Sequence, residues 1–465
     1  MARYSSVDST QDHDGAVPAR RGRIALLAGC AMAVAAFGPY TSVAGVRTEQ
    51  VVVYGVGAAA LLSTRWTGMR LSRAAVLVAT LLAGEIVIAV VGTLVPVVDL
   101  SPYVVGSVLP GLDNLILPLV VLASVWTLLA AGADRDRLLR VACRVVVLAM
   151  CANTVVAYLS QLHDLTPLLA RFWDNTVDAG DASTGTVAGN AAQLGRFTGV
   201  FNQPAEAGEM YSIALLAAIY LYRAKSVRLV LAGLLLGIGG VLTISKVFLL
   251  VGLPIAVWQL LRVSTQRGRR LTLLATGIFA VAALAESGIG PDWIGGGFLD
   301  RLLHPGDSSG LLDLYTGGRI GGVSSLHLVS DAVLHNSPWF GYGAGGLAAP
   351  YDNGWIEALA VAGLFGVALY TGILLVLAAG WLRRHALMSE AQARLAGGLI
   401  VLAAGASVGL PALTANRVAT VMWLLLALVL LSEPLAVPRA VPVEREVPVP
   451  VEPAGVRSGV GAHAA

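Results

Sequence analysis

Apolar runs of about 20 residues recur from one end of this chain to the other, each long enough to cross a hydrocarbon core of about 30 Å. A backbone in lipid must satisfy its own amide groups, so runs of this length and continuity specify membrane-spanning helices. A membrane β-barrel would show short segments of alternating polarity instead. The charged fraction is 13%, against about a quarter in soluble proteins, and the mean hydropathy is +0.76. The chain therefore reads as an all-α polytopic integral membrane protein.

About twelve spans fit the pattern: 24–44, 49–64, 74–96, 114–132, 138–162, 208–222, 228–244, 247–261, 271–287, 355–381, 394–412 and 416–432. The net charge of +3 says little, whereas the placement of Arg and Lys sets a topology. With the N-terminus cytoplasmic, inner loops hold Arg65/Arg70/Arg73, Arg135/Arg137/Arg140, Arg223/Lys225/Arg228, Arg262/Arg267/Arg269/Arg270 and Arg383/Arg384. Outer segments hold only Arg47, Arg171, Arg196, Lys246, Arg301, Arg319 and Arg417, although the outer loops are longer. The positive-inside rule then puts both termini in the cytoplasm. Residues 1–22 form an N-terminal tail, 23–432 the transmembrane domain, and 433–465 a Pro-Val-Glu-rich tail expected to be disordered.

Two long extracytoplasmic loops, about 163–208 and 287–352, hold the polar signal. The first ends in Arg196-Phe-Thr-Gly-Val-Phe-Asn202-Gln-Pro204-Ala-Glu206 and runs directly into a span. The second holds Gly317-Gly318-Arg319, an amphipathic stretch over 322–336, a Gly-rich segment 341–346, and Asp352-Asn353 at the mouth of the next span. Between them Thr243-Ile-Ser245-Lys246 makes a very short outer turn, so Arg196, Lys246 and Arg319 share one level. Arg171, Arg301 and Arg417 are expected to anchor to lipid headgroups.

Other patterns are weaker. Gly341, Gly343 and Gly346 spell G-x-G-x-x-G, but no strand precedes them, and a loop lining a substrate cleft fits better. His327, Asp331 and His335 lie four residues apart on the amphipathic stretch; its outer pair spans about 12 Å, too far for one metal ion. His335 is a candidate substrate contact. Cys30, Cys143 and Cys151 fall inside spans without metal or disulfide spacing. Glu85 lies within a span, where an ionisable group faces a cavity or a partner. Asp352-Asn353 is placed to cap the helix starting near Trp355.

The segments RFTGVFNQPAEAG (196–208), LTISK (242–246), GGR (317–319), HNSPWFGYGAGG (335–346) and YDNGWIEALAVAGLFG (351–366) occur in an order that resembles the O-antigen polymerase and O-antigen ligase family of bacterial membrane glycosyltransferases. The resemblance covers roughly 190–370 together with the topology, and implies a GT-C-like fold in the bacterial cytoplasmic (inner) membrane. It implies use of undecaprenyl-pyrophosphate-linked sugars as donor and acceptor, with no cofactor, no metal and no nucleic acid. Membrane lipids, a chain-length regulator and a flippase are the implied partners. The family's pyrophosphate-binding positions fall on Lys246 and Arg319, and Arg196 takes a structural or donor-binding role. Asn353 and Glu206, inside the matching segments, join the candidate substrate-binding set. Where the ligase branch has His-Asn, this chain has Asp352-Asn353, so Asp352 takes the place of the catalytic base. Lys246 stands where Arg is usual, which keeps the charge but loses a bidentate fork.

Such residues suit transfer from a lipid pyrophosphate to a sugar hydroxyl. The leaving group gains charge as its bond breaks, and cations fixed beforehand stabilise it by several kcal/mol. The expected activity is polymerisation of lipid-linked repeat units on the outer face. The alternatives are a ligase passing finished glycan to a lipid, wall or protein acceptor, and a lipid-linked glycan transporter. A transporter should bury several ionisable groups near mid-membrane, and from sequence only Glu85 clearly qualifies.

Overall fold

A computed structural model describes residues 16–39, 47–63, 71–94, 108–173, 187–193, 195–263, 325–348, 353–414 and 416–432. Arg319, Asp352, Arg301, the expected span 271–287 and the tail 433–465 lie outside these residues. Every regular element described is helical: α1 (Ala16–Ala35), α2 (Thr48–Ser63), α3 (Arg73–Leu94), α4 (Val108–Ala130), α5 (Arg135–Leu162), short α6 (Thr166–Leu169) and α7 (Val187–Gln193), α8 (Pro204–Tyr222) and α9 (Ser226–Leu242). A π-helical turn (Val247–Gly252) leads into α10 (Leu253–Val263). Then come α11 (Ser325–Asn336), a 3₁₀ turn (Gly343–Ala348), α12 (Gly354–Arg384), α13 (Glu390–Ala406) and α14 (Asn416–Leu426).

Among the described residues, four helices are long and apolar enough to cross a membrane: Arg73–Leu94, Leu112–Ala130, Arg135–Leu162 and the helix that begins at Gly354. Shorter apolar helices include Gly22–Ala35, Thr48–Leu62, Val227–Leu242, Val247–Arg262 and Arg417–Leu431. Their ends are set by local chemistry. Asp134 caps α5 through Arg137 N at 2.8 Å, Pro204 opens α8, and Ser389 with Gln392 forms a capping box on α13.

Helices α8 and α14 form the centre. From Glu206 to Ile219, every residue of α8 is buried, as is every residue from Arg417 to Leu431. An all-round apolar helix belongs inside a bundle, and small residues let the neighbours of α8 come close. A Cβ on Gly208 would lie 2.2 Å from Ser245 Oγ, and one on Gly252 would lie 1.9 Å from Ser212 Oγ. Around this centre α5 packs on α8 and α9, α13 packs on α8, and α3 lies along α12.

The buried stripe of α3 is Ala75, Val78, Leu82, Glu85, Ala89 and Gly92. Spacing by three and four makes one helix face, so Glu85 sits in an apolar seam, 3% exposed.

Helix α12 is broken at Ala362 (φ −132°, ψ 15°) and Gly363 (φ 62°, ψ −151°). The break releases backbone groups that lipid cannot satisfy. The loop after α11 satisfies them instead: Tyr342 N donates to Ala360 O at 2.6 Å, and Leu364 N to Pro338 O at 2.7 Å. Here the Gly-rich segment has a different role from the cleft lining expected from sequence. Gly341 and Gly343 take φ of 63° and 67° and wedge the chain between α3 and α12, where Ala344 N donates to Thr93 Oγ1 at 2.8 Å.

A Cβ at Gly363 would lie 2.4 Å from Trp339 C and also needs a left-handed backbone. Gly363→Ala should therefore lower the unfolding temperature of the purified protein markedly, by the equivalent of about 2 kcal/mol or more. Gly233→Ala, with nothing within 4 Å, should leave it level or raise it.

Candidate functional site

The segment 195–203 is a built loop. Asn153 on α5 clamps it from both sides, donating from Nδ2 to Thr198 O at 3.1 Å and accepting Val200 N on Oδ1 at 2.9 Å. Trp173 Nε1 donates to Gly199 O at 3.0 Å, and Thr198 Oγ1 donates to Phe201 O at 2.7 Å. Gly199 is at φ 64° with its missing Cβ position 2.1 Å from Asn153 Oδ1, so only glycine fits.

This loop holds Arg196 against the Thr243–Lys246 turn. Phe197 N donates to Leu242 O at 3.0 Å, while Arg196 Nε and Nη2 reach Thr243 O and Ile244 O, each at a long 3.5 Å. Ile244 has φ 42° and is the one non-glycine residue at positive φ among the described residues. A β-branched side chain in that region costs of order 1–3 kcal/mol and persists only where surroundings over-determine it. Here they do: Ile244 is 2% exposed and its N–H is bonded to Val241 O at 2.9 Å. Lys246 follows at once, half-buried, as the first residue before the π-helical turn. Arg196 therefore seats against the same short turn that ends at Lys246.

Glu206 lies in the first turn of α8, buried, with Oε2 accepting Asn202 N at 3.1 Å. That carboxylate suits the positive end of a helix. Asn353 is 2% exposed and caps α12, its Oδ1 accepting Trp355 N at 2.9 Å and Ile356 N at 3.2 Å. Its side-chain oxygen is thus committed to the helix. His335 is exposed near the end of α11, and its neighbours His327 and Asp331 pair at 3.3 Å. Among the described residues no three His, Cys, Asp or Glu side chains gather into a metal site. Arg171 is exposed.

Arg417 corrects an expectation. Sequence reading sent it to lipid headgroups, yet it is 1% exposed. Nη1 donates to Val200 O at 2.7 Å, and Nη2 to Phe172 O at 2.8 Å and Gly38 O at 3.0 Å. Its guanidinium also stands 5.9 Å over the Phe201 ring. Glu49 and Glu206 lie within electrostatic range of it. Arg47, which the sequence also led us to expect outside, is likewise buried, 3.4 Å from Glu49 and 3.3 Å from Asp113. In a membrane interior such charges persist only with partners.

The connection from α13 to α14 ties this loop to the start of α12. Gly354 N donates to Ser407 O at 2.7 Å, Thr414 Oγ1 donates to Glu357 Oε1, and three residues on Arg417 holds Val200 O. Asn353 and the Arg196 loop therefore share one support. Sequence reading missed Glu357 and Glu209, and gave Arg417 the wrong surroundings. Glu209 is fully buried on α8, and Glu85, Glu209 and Glu357 all lie within electrostatic range of Tyr370, whose hydroxyl is 2.5 Å from Ser407 Oγ.

No protein-family model matches the chain, and no curated protein matches it.

Arg417→Ala should cost about 3–5 kcal/mol, because three carbonyls and two carboxylates lose a buried partner. Arg417→Lys should recover little, since an ammonium lacks the planar fork. Arg171→Ala should leave thermal unfolding unchanged. A stable Arg417→Ala protein would show that the clamp is not what orders this end.

Proposed function

We propose that the chain is a membrane glycosyltransferase that joins undecaprenyl-pyrophosphate-linked oligosaccharide repeat units on the outer face of a bacterial cytoplasmic membrane. On this reading about twelve helices span the bilayer, with both termini cytoplasmic and the Arg196 end of the bundle outside. The observation that carries the reading is the seating of Arg196 against the turn that bears Lys246. Fixed cations at a membrane surface are what a departing lipid pyrophosphate needs, since their gain is largest when no reorganisation is required.

The reaction is a single displacement. The acceptor hydroxyl oxygen attacks the anomeric carbon of the donor sugar, the bond from that carbon to the pyrophosphate oxygen breaks, and the anomeric configuration inverts. The electron pair of the broken bond leaves with the lipid pyrophosphate, held by Arg319 and Lys246. The hydroxyl proton passes to Asp352, the proposed base. Asn353 fixes the start of α12 next to that carboxylate, and Arg196 braces the Lys246 turn.

Purified full-length protein given a defined undecaprenyl-pyrophosphate oligosaccharide should yield a ladder of repeat-unit multiples. Arg319→Ala and Asp352→Asn should each lower its rate by about a hundredfold or more without loss of folded protein. Lys246→Arg should stay active while Lys246→Ala does not. No new glycosidic bond with any acceptor would sink the proposal.

A lipid-linked glycan transporter is the second reading. Its support is the set of buried carboxylates at Glu85, Glu209 and Glu357, more than the sequence disclosed. Movement of a fluorescent lipid-linked glycan across proteoliposomes without bond formation would select it.

A further inference from the structure

We propose that the opposite end of the bundle carries a second anion site, which takes a phosphate-bearing ligand. Helix α8 runs from the Arg196 loop at Pro204 to Tyr222, and a cavity of about 450 Å³ opens beside its far end. That volume lies within the range of small-ligand sites. Five cations from two helices and the α8–α9 connection converge on it: Arg140 and Arg144 from α5, Arg223 and Lys225 between α8 and α9, and Arg228 in the first turn of α9.

Not every cation at this end joins the cluster. Arg140 and Arg144 are four residues apart and so share one face of α5. Arg73 and Arg383 are exposed at the same end, where Gly380 adjoins Ala74, yet neither lines the cavity. All five side chains are exposed, so water screens their repulsion, and an anion entering the space they share would be attracted by every one of them. The carboxylate at the rim, Glu390, is 4.0 Å from Arg223 and is also bound by Arg394. Asp136 is engaged by Arg135 at 3.1 Å and Gln392 at 3.0 Å.

The backbone adds to the field. Helix α9 starts at this cavity, and its N-cap Lys225 makes no side-chain cap bond. The amides of the first turn thus add partial positive charge beside Arg228. Tyr220 and Tyr222 also border the space, as tyrosines do at headgroup level. Forked guanidiniums, helix amides and a site of this volume fit phosphate, presented by an anionic phospholipid headgroup or by a soluble diphosphate.

The test uses the full chain in phosphatidylcholine nanodiscs, reading its unfolding temperature while either cardiolipin is added to the discs or inorganic pyrophosphate to the buffer. At least one should raise that temperature, with an apparent affinity at least about tenfold weaker in R140A/R144A. R140K/R144K should keep most of the response, and R73A/R383A, which removes the same charge elsewhere, should keep all of it. A response to cardiolipin alone assigns the phosphate to lipid, and one to pyrophosphate alone assigns it to a soluble ligand. Should R140A/R144A fail to fold, Arg228→Ala must show the same weakening. The proposal is overturned if neither ligand shifts the wild type, or if R73A/R383A weakens the response as much as R140A/R144A.

Discussion

One buried guanidinium holds the Arg196 end of this protein together. Arg417 sits in the first turn of α14, where a cation opposes the helix dipole, and it is 1% exposed. It is tolerated because three carbonyls from three separate segments converge on it, with Glu49 and Glu206 nearby. The segments after α1, after α6 and before α8 are thereby joined at one point. The Arg196 loop then needs only Asn153 and Trp173 to complete its shape.

The same economy of backbone bonding governs the other loop. The break in α12 exposes groups that lipid would leave unpaired, and residues 338–342 supply the partners. Glycines that spell a nucleotide-binding pattern serve here to bring two backbones together. Broken helix, glycine wedge and Thr93 are one packing unit. The α13–α14 connection links that unit to the Arg196 loop through Ser407, Thr414 and Arg417.

Much of this was legible in sequence, for identifiable reasons. Long apolar runs and the amphipathic stretch ending at Asn336 mark helices through periodicity alone. Asn353 was readable as a cap because capping is local, and the Thr243–Lys246 turn was readable because so few polar residues separate two apolar runs. Arg417 was misread for a physical reason: whether an arginine at a helix end snorkels or turns inward depends on carbonyls hundreds of residues away. Glu209 and Glu357 were passed over because each lies close to a span boundary, and only packing shows that α8 is surrounded. The roles of Arg319 and Asp352 rest on sequence, since both lie outside the described residues.

On the proposed reading, the two charged ends joined by the buried α8 each take an anionic ligand, with group transfer assigned to the end held by Arg417. Photocrosslinking tests that assignment most directly. An undecaprenyl-pyrophosphate oligosaccharide with a photoreactive group on its first sugar would be irradiated with the full chain in membranes and the adducts mapped by mass spectrometry. Adducts within 196–206, 242–246 and 317–353, competed away by unlabelled donor, are the expected result. Adducts confined to the Arg140–Arg228 cavity, or insensitive to competition, would contradict the account.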